Sequence, residues 1–163
     1  DLGRATDRYR ALCELGDRMD VTPMVELWGF SKTLNRLGET ALVAVDAGHP
    51  RASVLADVYH LHKGGSNPEG LKLLSASALP IFHMNDYPST PDRSKIVDAD
   101  RIYPGDGVAP LASILRSLQG IGFQGVLSLE LFNRDYWKQD AFLVARTGLE
   151  KMKAVVEQAG LSK

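Results

Sequence analysis

Apolar residues follow two alternating patterns along this chain. Four short runs are too apolar to be half exposed, which predicts strands buried in a parallel sheet. The stretches around them carry apolar residues three to four positions apart, the spacing of an amphipathic helix. The predicted strands are residues 21–26, 52–57, 79–84 and 125–130. The predicted helices are residues 2–19, 32–47, a short one that contains Leu71 and Leu74, 109–119 and 139–159.

The order of these elements predicts an α/β fold in which helices cover a parallel sheet. Two architectures fit: an open doubly wound sheet, or part of a (β/α)8 barrel. No glycine-rich phosphate loop follows any strand, which argues weakly against a nucleotide-binding open sheet. Residues 85–108 form a long loop rich in Pro, Asp and Gly without periodicity. Loops of this length in a compact domain are usually functional or disordered.

Each predicted strand ends in a side chain that can bind a metal ion. A charged group at the end of a buried strand is costly unless it is paired or coordinated, and barrel sites are built at these strand ends. For each residue alone, a helix N-cap or an ion pair is the more ordinary explanation. The occurrence on four consecutive strands favours a shared site. Its members are Glu26, Asp57, His83 and Glu130. Three carboxylates and one imidazole suit Mn²⁺ or Mg²⁺, with Co²⁺ or Zn²⁺ as alternatives.

Composition narrows the functional classes. The 163 residues are 44% hydrophobic and 24% charged, which predicts one globular domain over residues 1–163. A net charge of −1 gives no bulk attraction to nucleic acid or to an anionic membrane. Cys13 is the single cysteine, which excludes an internal disulfide and makes the cytoplasm the expected location. The chain begins at Asp1 without an initiator Met, so we expect it to start partway through a larger protein.

The ordered set of motifs resembles the xylose-isomerase-like sugar isomerase/epimerase superfamily. That group includes tagatose 3-epimerase-like enzymes, hydroxypyruvate isomerases, inosose dehydratases and, more distantly, the endonuclease IV group. The resemblance runs from about Val21 to the C-terminus. It rests on the strand-end Glu26, the D-x-x-H of Asp57 and His60, and the segments 83–86 and 128–133. It implies the C-terminal half of a (β/α)8 TIM barrel, strands five to eight. Alternatives are a proteolytic fragment, a half-barrel that forms homo-oligomers, and a free-standing four-stranded α/β domain.

The resemblance implies a metal-dependent isomerase or epimerase that acts on a small sugar, sugar phosphate or polyol. One divalent ion would be held by the four strand-end residues, and Glu26 and Glu130 would be the acid/base catalysts. The reaction would remove a proton and pass through a metal-bound enediolate. An inosose-type dehydratase with the same metal site and a non-catalytic carbohydrate-binding half-barrel are the alternatives.

The resemblance also implies that His60 and an arginine bind substrate oxygens. The arginine of related epimerases lies six residues after the metal-binding His, where this chain has Ser89, so Arg93 or Arg101 would have to replace it. Lys32 stands where ketohexose epimerases carry a Glu, which speaks against a ketohexose. The stretch 98–100 lacks the His of the endonuclease IV branch, and no DNA partner is expected.

Overall fold

The computed structural model describes residues 1–161. Its four strands are parallel and neighbour one another in chain order. Doubly wound sheets reverse their strand order partway across, whereas a barrel adds its strands one after another. The observed order is therefore that of a barrel segment. The strands are β1 (Val25–Glu26), β2 (Val54–Asp57), β3 (Ile81–Met84) and β4 (Val126–Leu129). The α-helices are α1 (Leu2–Met19), α2 (Leu37–Asp46), α3 (Val58–Gly64), α4 (Leu111–Gly120) and α5 (Ala141–Gln158).

The first strand is much shorter than the predicted 21–26. The N–H of Val21 donates to the carbonyl of Gly16, which makes Val21 part of the turn that ends α1. Pro23 has no N–H to donate to a neighbouring strand. Only Val25 and Glu26 pair with β2. The other three strands lie within their predicted ranges and are also shorter.

The second helix begins five residues later than predicted. The Oγ of Ser31 accepts the N–H groups of Thr33 and Leu34, so this segment is a turn and the helix starts at Leu37. Apolar spacing in the sequence predicts a buried face of Leu34, Leu37, Ala41, Leu42 and Val45, and this was wrong for two of them: Leu42 and Val45 are 41% and 73% exposed. Leu34 is not helical, and the buried stripe of the helix shares only Leu37 with the predicted face. That stripe is Leu37, Thr40 and Val43.

Two further differences lie between β2 and β3. The helix α3 directly follows β2 and was not predicted. The predicted short helix is a 3₁₀ helix, Pro68–Leu73, which ends before Leu74. Other 3₁₀ helices are Ala76–Ala78, Asp98–Asp100 and Tyr136–Lys138. Within residues 1–161, no helix is both long enough and apolar enough to cross a bilayer.

The core lies between the sheet and its helices. Successive residues of a strand point to opposite faces, and paired residues of neighbouring strands point to the same face. One face carries Val54, Ala56 and Phe82, which are buried among the helices. The other face, which would line the inside of a barrel, carries Leu55, Ile81 and Val126, none of which is fully buried. The four predicted metal ligands lie on this inner face.

Candidate metal centre

Strand register explains why four residues distant in sequence share one face. Asp57 pairs with His83, and His83 pairs with Ser128. Glu130 lies two residues beyond Ser128, and Glu26 pairs with Leu55, two residues before Asp57. Because paired residues and residues two apart point to the same side, all four predicted ligands project from the inner face at the carboxyl ends of the strands.

Three of the four ligand candidates meet. One ligand atom each of Glu26, His83 and Glu130 lies within 4.8 Å of the others. Ligands on opposite sides of an ion at about 2.0–2.6 Å are about 4–5 Å apart, so this spacing suits one ion. The Nδ1 of His83 is 3.3 Å from Glu130 Oε2, and it is buried without a hydrogen-bond partner. A buried imidazole nitrogen left unpaired beside carboxylates fits a metal ligand in its position and its chemistry.

Asp57 lies beside this trio rather than within it. Its Oδ1 accepts the N–H of His60 at 2.8 Å, so the residue is the N-cap of α3. Its Oδ2 is 3.7 Å from His83 Nδ1. The ordinary N-cap explanation is therefore correct for one oxygen, while the other faces the predicted metal site.

Arg101 connects the acidic groups of the site. Its side chain is buried, and Nη1 donates to Glu130 Oε2 at 2.7 Å and to Asp57 Oδ2 at 3.3 Å. Its Nη2 donates to Asp98 Oδ1 at 2.5 Å. The guanidinium also lies 4.5 Å from the ring centre of Tyr59, a cation–π distance. One fixed positive charge thus holds carboxylates that come from two strands and from the long loop.

A hydrogen-bond donor lies close to each ring nitrogen of His60. The backbone N–H of Gly29 donates to Nδ1 at 3.2 Å, and Arg101 Nη2 lies 2.8 Å from Nε2. Burial and the nearby charge of Arg101 lower the pKa of His60 to about 3, so the ring is neutral at physiological pH. A neutral imidazole accepts at only one nitrogen. One of the two donors therefore faces the protonated nitrogen, and the tautomer of His60 decides which one.

The carboxylates of the site have different electrostatic environments. Burial, followed by the charge of Glu130, raises the pKa of Glu26. Burial also raises the pKa of Asp57, and Arg101 opposes this effect. Burial would raise the pKa of Glu130 too, but the contacts with His83 and Arg101 outweigh it and lower this pKa to about 2. A bound divalent ion would add a larger charge than any of these groups.

The two predicted arginines lie in different places. Arg101 lies inside the cluster, as described above. The side chain of Arg93 is exposed, and its guanidinium packs against Gly65. Substrate binding by either arginine stays a prediction; Arg101 is the one that lies beside the predicted metal ligands. Lys32 is exposed on the turn after β1.

Two residues that contact the cluster have no role predicted from the sequence. Asn85 donates to Asp57, and Asp98 accepts from Arg101. Asn85 could have been found from the two-residue alternation of β3, because it follows His83 by two positions. Asp98 lies three residues before Arg101, but the loop has no periodicity that would indicate their contact.

Comparison with known proteins places the chain among related enzymes. A family described as "Xylose isomerase-like TIM barrel" matches residues 1–155. The chain belongs to this family. Within the family, the inosose isomerase of Bacillus velezensis is 32% identical over 148 residues, which are 90% of this chain and 52% of that protein. A 3-dehydroshikimate dehydratase of Pseudomonas putida is 24% identical over 95% of this chain and 25% of its own length. The chain thus spans about half of the inosose isomerase.

Solved structures of the xylose isomerase-like family show the same architecture. The IOLI protein, crystallised with a bound zinc atom, superposes with a TM-score of 0.90 and 26% identity, covering 97% of this chain and 57% of that one. L-ribulose 3-epimerase superposes with a TM-score of 0.75 and 18% identity, covering 97% and 55%. The predicted fold class is confirmed: the four strands are a partial TIM barrel.

Proposed function

We propose that this chain carries the metal site of a divalent-metal-dependent isomerase or epimerase acting on a small sugar or polyol. The observation that carries the proposal is the convergence of Glu26, His83 and Glu130 on the inner face, with the Nδ1 of His83 buried and unpaired. Support comes from the inosose isomerase and epimerase relatives and from the zinc atom in a structural neighbour. Mn²⁺ or Mg²⁺ suits this oxygen-rich set, and Zn²⁺ or Co²⁺ is the alternative.

Glu26 and Glu130 are the proposed acid/base pair. The two carboxylates project from the first and last strands of the sheet, so they approach a substrate from opposite sides. One Glu removes a proton from the carbon next to a carbonyl, and the other returns a proton. If the proton returns to the same carbon from the other side, the configuration of that carbon is inverted. If it returns to the neighbouring carbon, the carbonyl group moves along the chain. A bound ion would supply the positive charge that stabilises the negative oxygens formed after the proton leaves.

His60 and Arg101 are the proposed substrate-binding donors. His60 Nε2 and Arg101 Nη2 lie 2.8 Å apart within the cluster. A substrate oxygen would accept from the Arg101 guanidinium, and also from His60 when Nε2 carries the proton. The pair therefore suits a carbonyl or hydroxyl oxygen of a sugar.

A dehydratase is the second candidate. The 3-dehydroshikimate dehydratase relative supports it, because loss of a β-hydroxyl begins with the same proton abstraction. The inosose isomerase relative favours the first candidate, since its identity to this chain is higher, at 32% against 24%.

Metal titration tests the site directly. We expect isothermal titration of the chelator-treated chain with Mn²⁺ to give one ion per chain, and Glu130→Gln to weaken binding at least about 10-fold because a charged ligand is lost. Glu150→Gln is the matched control: Glu150 is exposed on α5, outside the site, and the variant should bind as the wild type does. Failure of Mn²⁺, Mg²⁺, Co²⁺ and Zn²⁺ alike to bind, or equal binding by Glu130→Gln, would contradict the proposal.

Product analysis by NMR in D₂O distinguishes the reaction types. With an inosose as the probe, an isomerase or epimerase should place deuterium on carbon without loss of water. A dehydratase would release water and form an unsaturated product, which would replace the first candidate by the second. Absence of both reactions in a chain that binds the ion would exclude an inosose as the substrate of this chain.

A further inference from the structure

Asn85 joins three strand ends beneath the candidate metal centre. It follows β3 directly, lies two residues after His83 and is fully buried. Its Oδ1 accepts the backbone N–H of Tyr59 at 2.8 Å. Because that donor is fixed, the amide nitrogen must point the other way. The Nδ2 donates to Asp57 Oδ2 at 2.9 Å and to the carbonyl of Glu130 at 3.4 Å.

The contacts of Asn85 determine how the Asp57 carboxylate is turned. The His60 N–H holds Oδ1, and Asn85 holds Oδ2, the oxygen that faces His83. With both oxygens held, the carboxylate cannot rotate about its Cβ–Cγ bond without losing a buried hydrogen bond. Arg101 adds a longer contact to Oδ2, at 3.3 Å.

We propose that Asn85 is a positioning residue for the metal ion, which acts by holding Asp57 Oδ2 toward the site. The inference rests on the proposed metal-dependent function. Asn85 is not itself a ligand: Oδ1 is used by the backbone, and Nδ2 has no free electron pair. The same amide ties the end of β4 to the end of β2 through the Glu130 carbonyl, so it also sets the spacing of two ligand-bearing strands.

Mn²⁺ affinity of Asn85→Ser tests this role. The shorter side chain cannot span from Tyr59 to Asp57, so we expect affinity in isothermal titration to fall about 10–100-fold, as is usual when a group that orients a ligand is removed. If Asn85 acts through Asp57, the same substitution in an Asp57→Ala background should change affinity less than about 2-fold. An equal loss in both backgrounds would overturn the proposed route.

Tyr9→Phe separates metal positioning from general stability. The buried Tyr9 hydroxyl contacts the backbone of Pro23, which precedes β1, and of Ser53, which precedes β2. Its loss should lower the melting temperature and leave Mn²⁺ affinity unchanged. Asn85→Leu, which keeps the branched shape and the number of side-chain heavy atoms, provides a second variant should Asn85→Ser fold poorly. Wild-type affinity in both Asn85 variants, or an equal loss in Tyr9→Phe, would overturn the inference. Failure of the wild-type chain to bind Mn²⁺ would instead contradict the proposed function.

Discussion

Asp86 holds together the turn that precedes α4. Its buried carboxylate accepts the backbone N–H groups of Tyr87, Gly105, Gly107 and Ala109 at 2.8–3.1 Å. Gly107 approaches so closely that an added Cβ would lie 2.2 Å from the carbonyl oxygen of Tyr87. One acidic side chain and one glycine therefore fix the end of the long loop against the end of β3.

We expect Asp86→Ala to lower the free energy of unfolding by about 3 kcal/mol, because four backbone N–H groups lose a buried, charged acceptor. Urea denaturation measures the change. Asp100→Ala is the control from the same loop. Its carboxylate accepts one exposed backbone N–H, that of Val97, and the loss should be clearly smaller. Equal losses in the two variants would show that Asp86 does not have this special role.

The long loop of residues 85–108 is attached to α3 by side-chain contacts. The ammonium of Lys63, near the end of α3, donates to the carbonyls of Arg93, Ser94 and Ile96 at 2.9–3.1 Å. It also lies 4.8 Å from the ring centre of Phe30, on the turn after β1. This lysine fastens the middle of the loop to the helix that carries His60. The predicted non-periodic loop is thus held by side-chain contacts such as these and by a backbone bridge between Asp86 and Ile102.

Lys63→Met should loosen the loop while keeping the apolar stem against Phe30. We expect faster hydrogen–deuterium exchange at the amides of Lys95 and Ile96, which bond to the Asp92 carbonyl, because local opening no longer breaks the Lys63 contacts. Lys95→Met is the matched control, since Lys95 is exposed and its ammonium makes one weak contact at 4.0 Å. Unchanged exchange in Lys63→Met would refute the anchoring role.

At the scale of the whole molecule, the sheet is open. Within residues 1–161, β1 pairs only with β2, and β4 pairs only with β3. The inner face is also exposed, and Val126 at the start of β4 is 60% exposed. Unpaired strand edges with exposed apolar side chains favour association with other strands.

We expect the 163-residue chain alone to associate with increasing concentration in sedimentation velocity. Val126→Lys should weaken that association, because a lysine on an edge strand opposes pairing. Leu73→Lys is the matched control: Leu73 is 90% exposed and lies on a 3₁₀ helix outside the sheet. If Leu73→Lys dissociated the chains and Val126→Lys did not, the contact would lie on the helical face.

The sequence alone determined the class of fold and the residues at the strand ends. Apolar runs too continuous for a half-exposed strand required a buried parallel sheet. A charge at the end of each run required a partner, which singled out Glu26, Asp57, His83 and Glu130. Element boundaries such as those of β1 and α2 were less predictable. They depend on local hydrogen bonds at Gly16 and Ser31, which the spacing of apolar residues does not reveal.

Only the tertiary structure decided how the site is organised. Sequence spacing could not show that Arg101, rather than Arg93, enters the cluster, because both lie on a loop without periodicity. Strand register brought His83 and Glu130 together and left Asp57 beside them as the N-cap of α3. It also placed Asn85 under the site. The local sequence pattern indicates which face of an element is apolar. Which side chains contact one another depends on the strand register and on the course of the loop, and both are set by the packing of the whole chain.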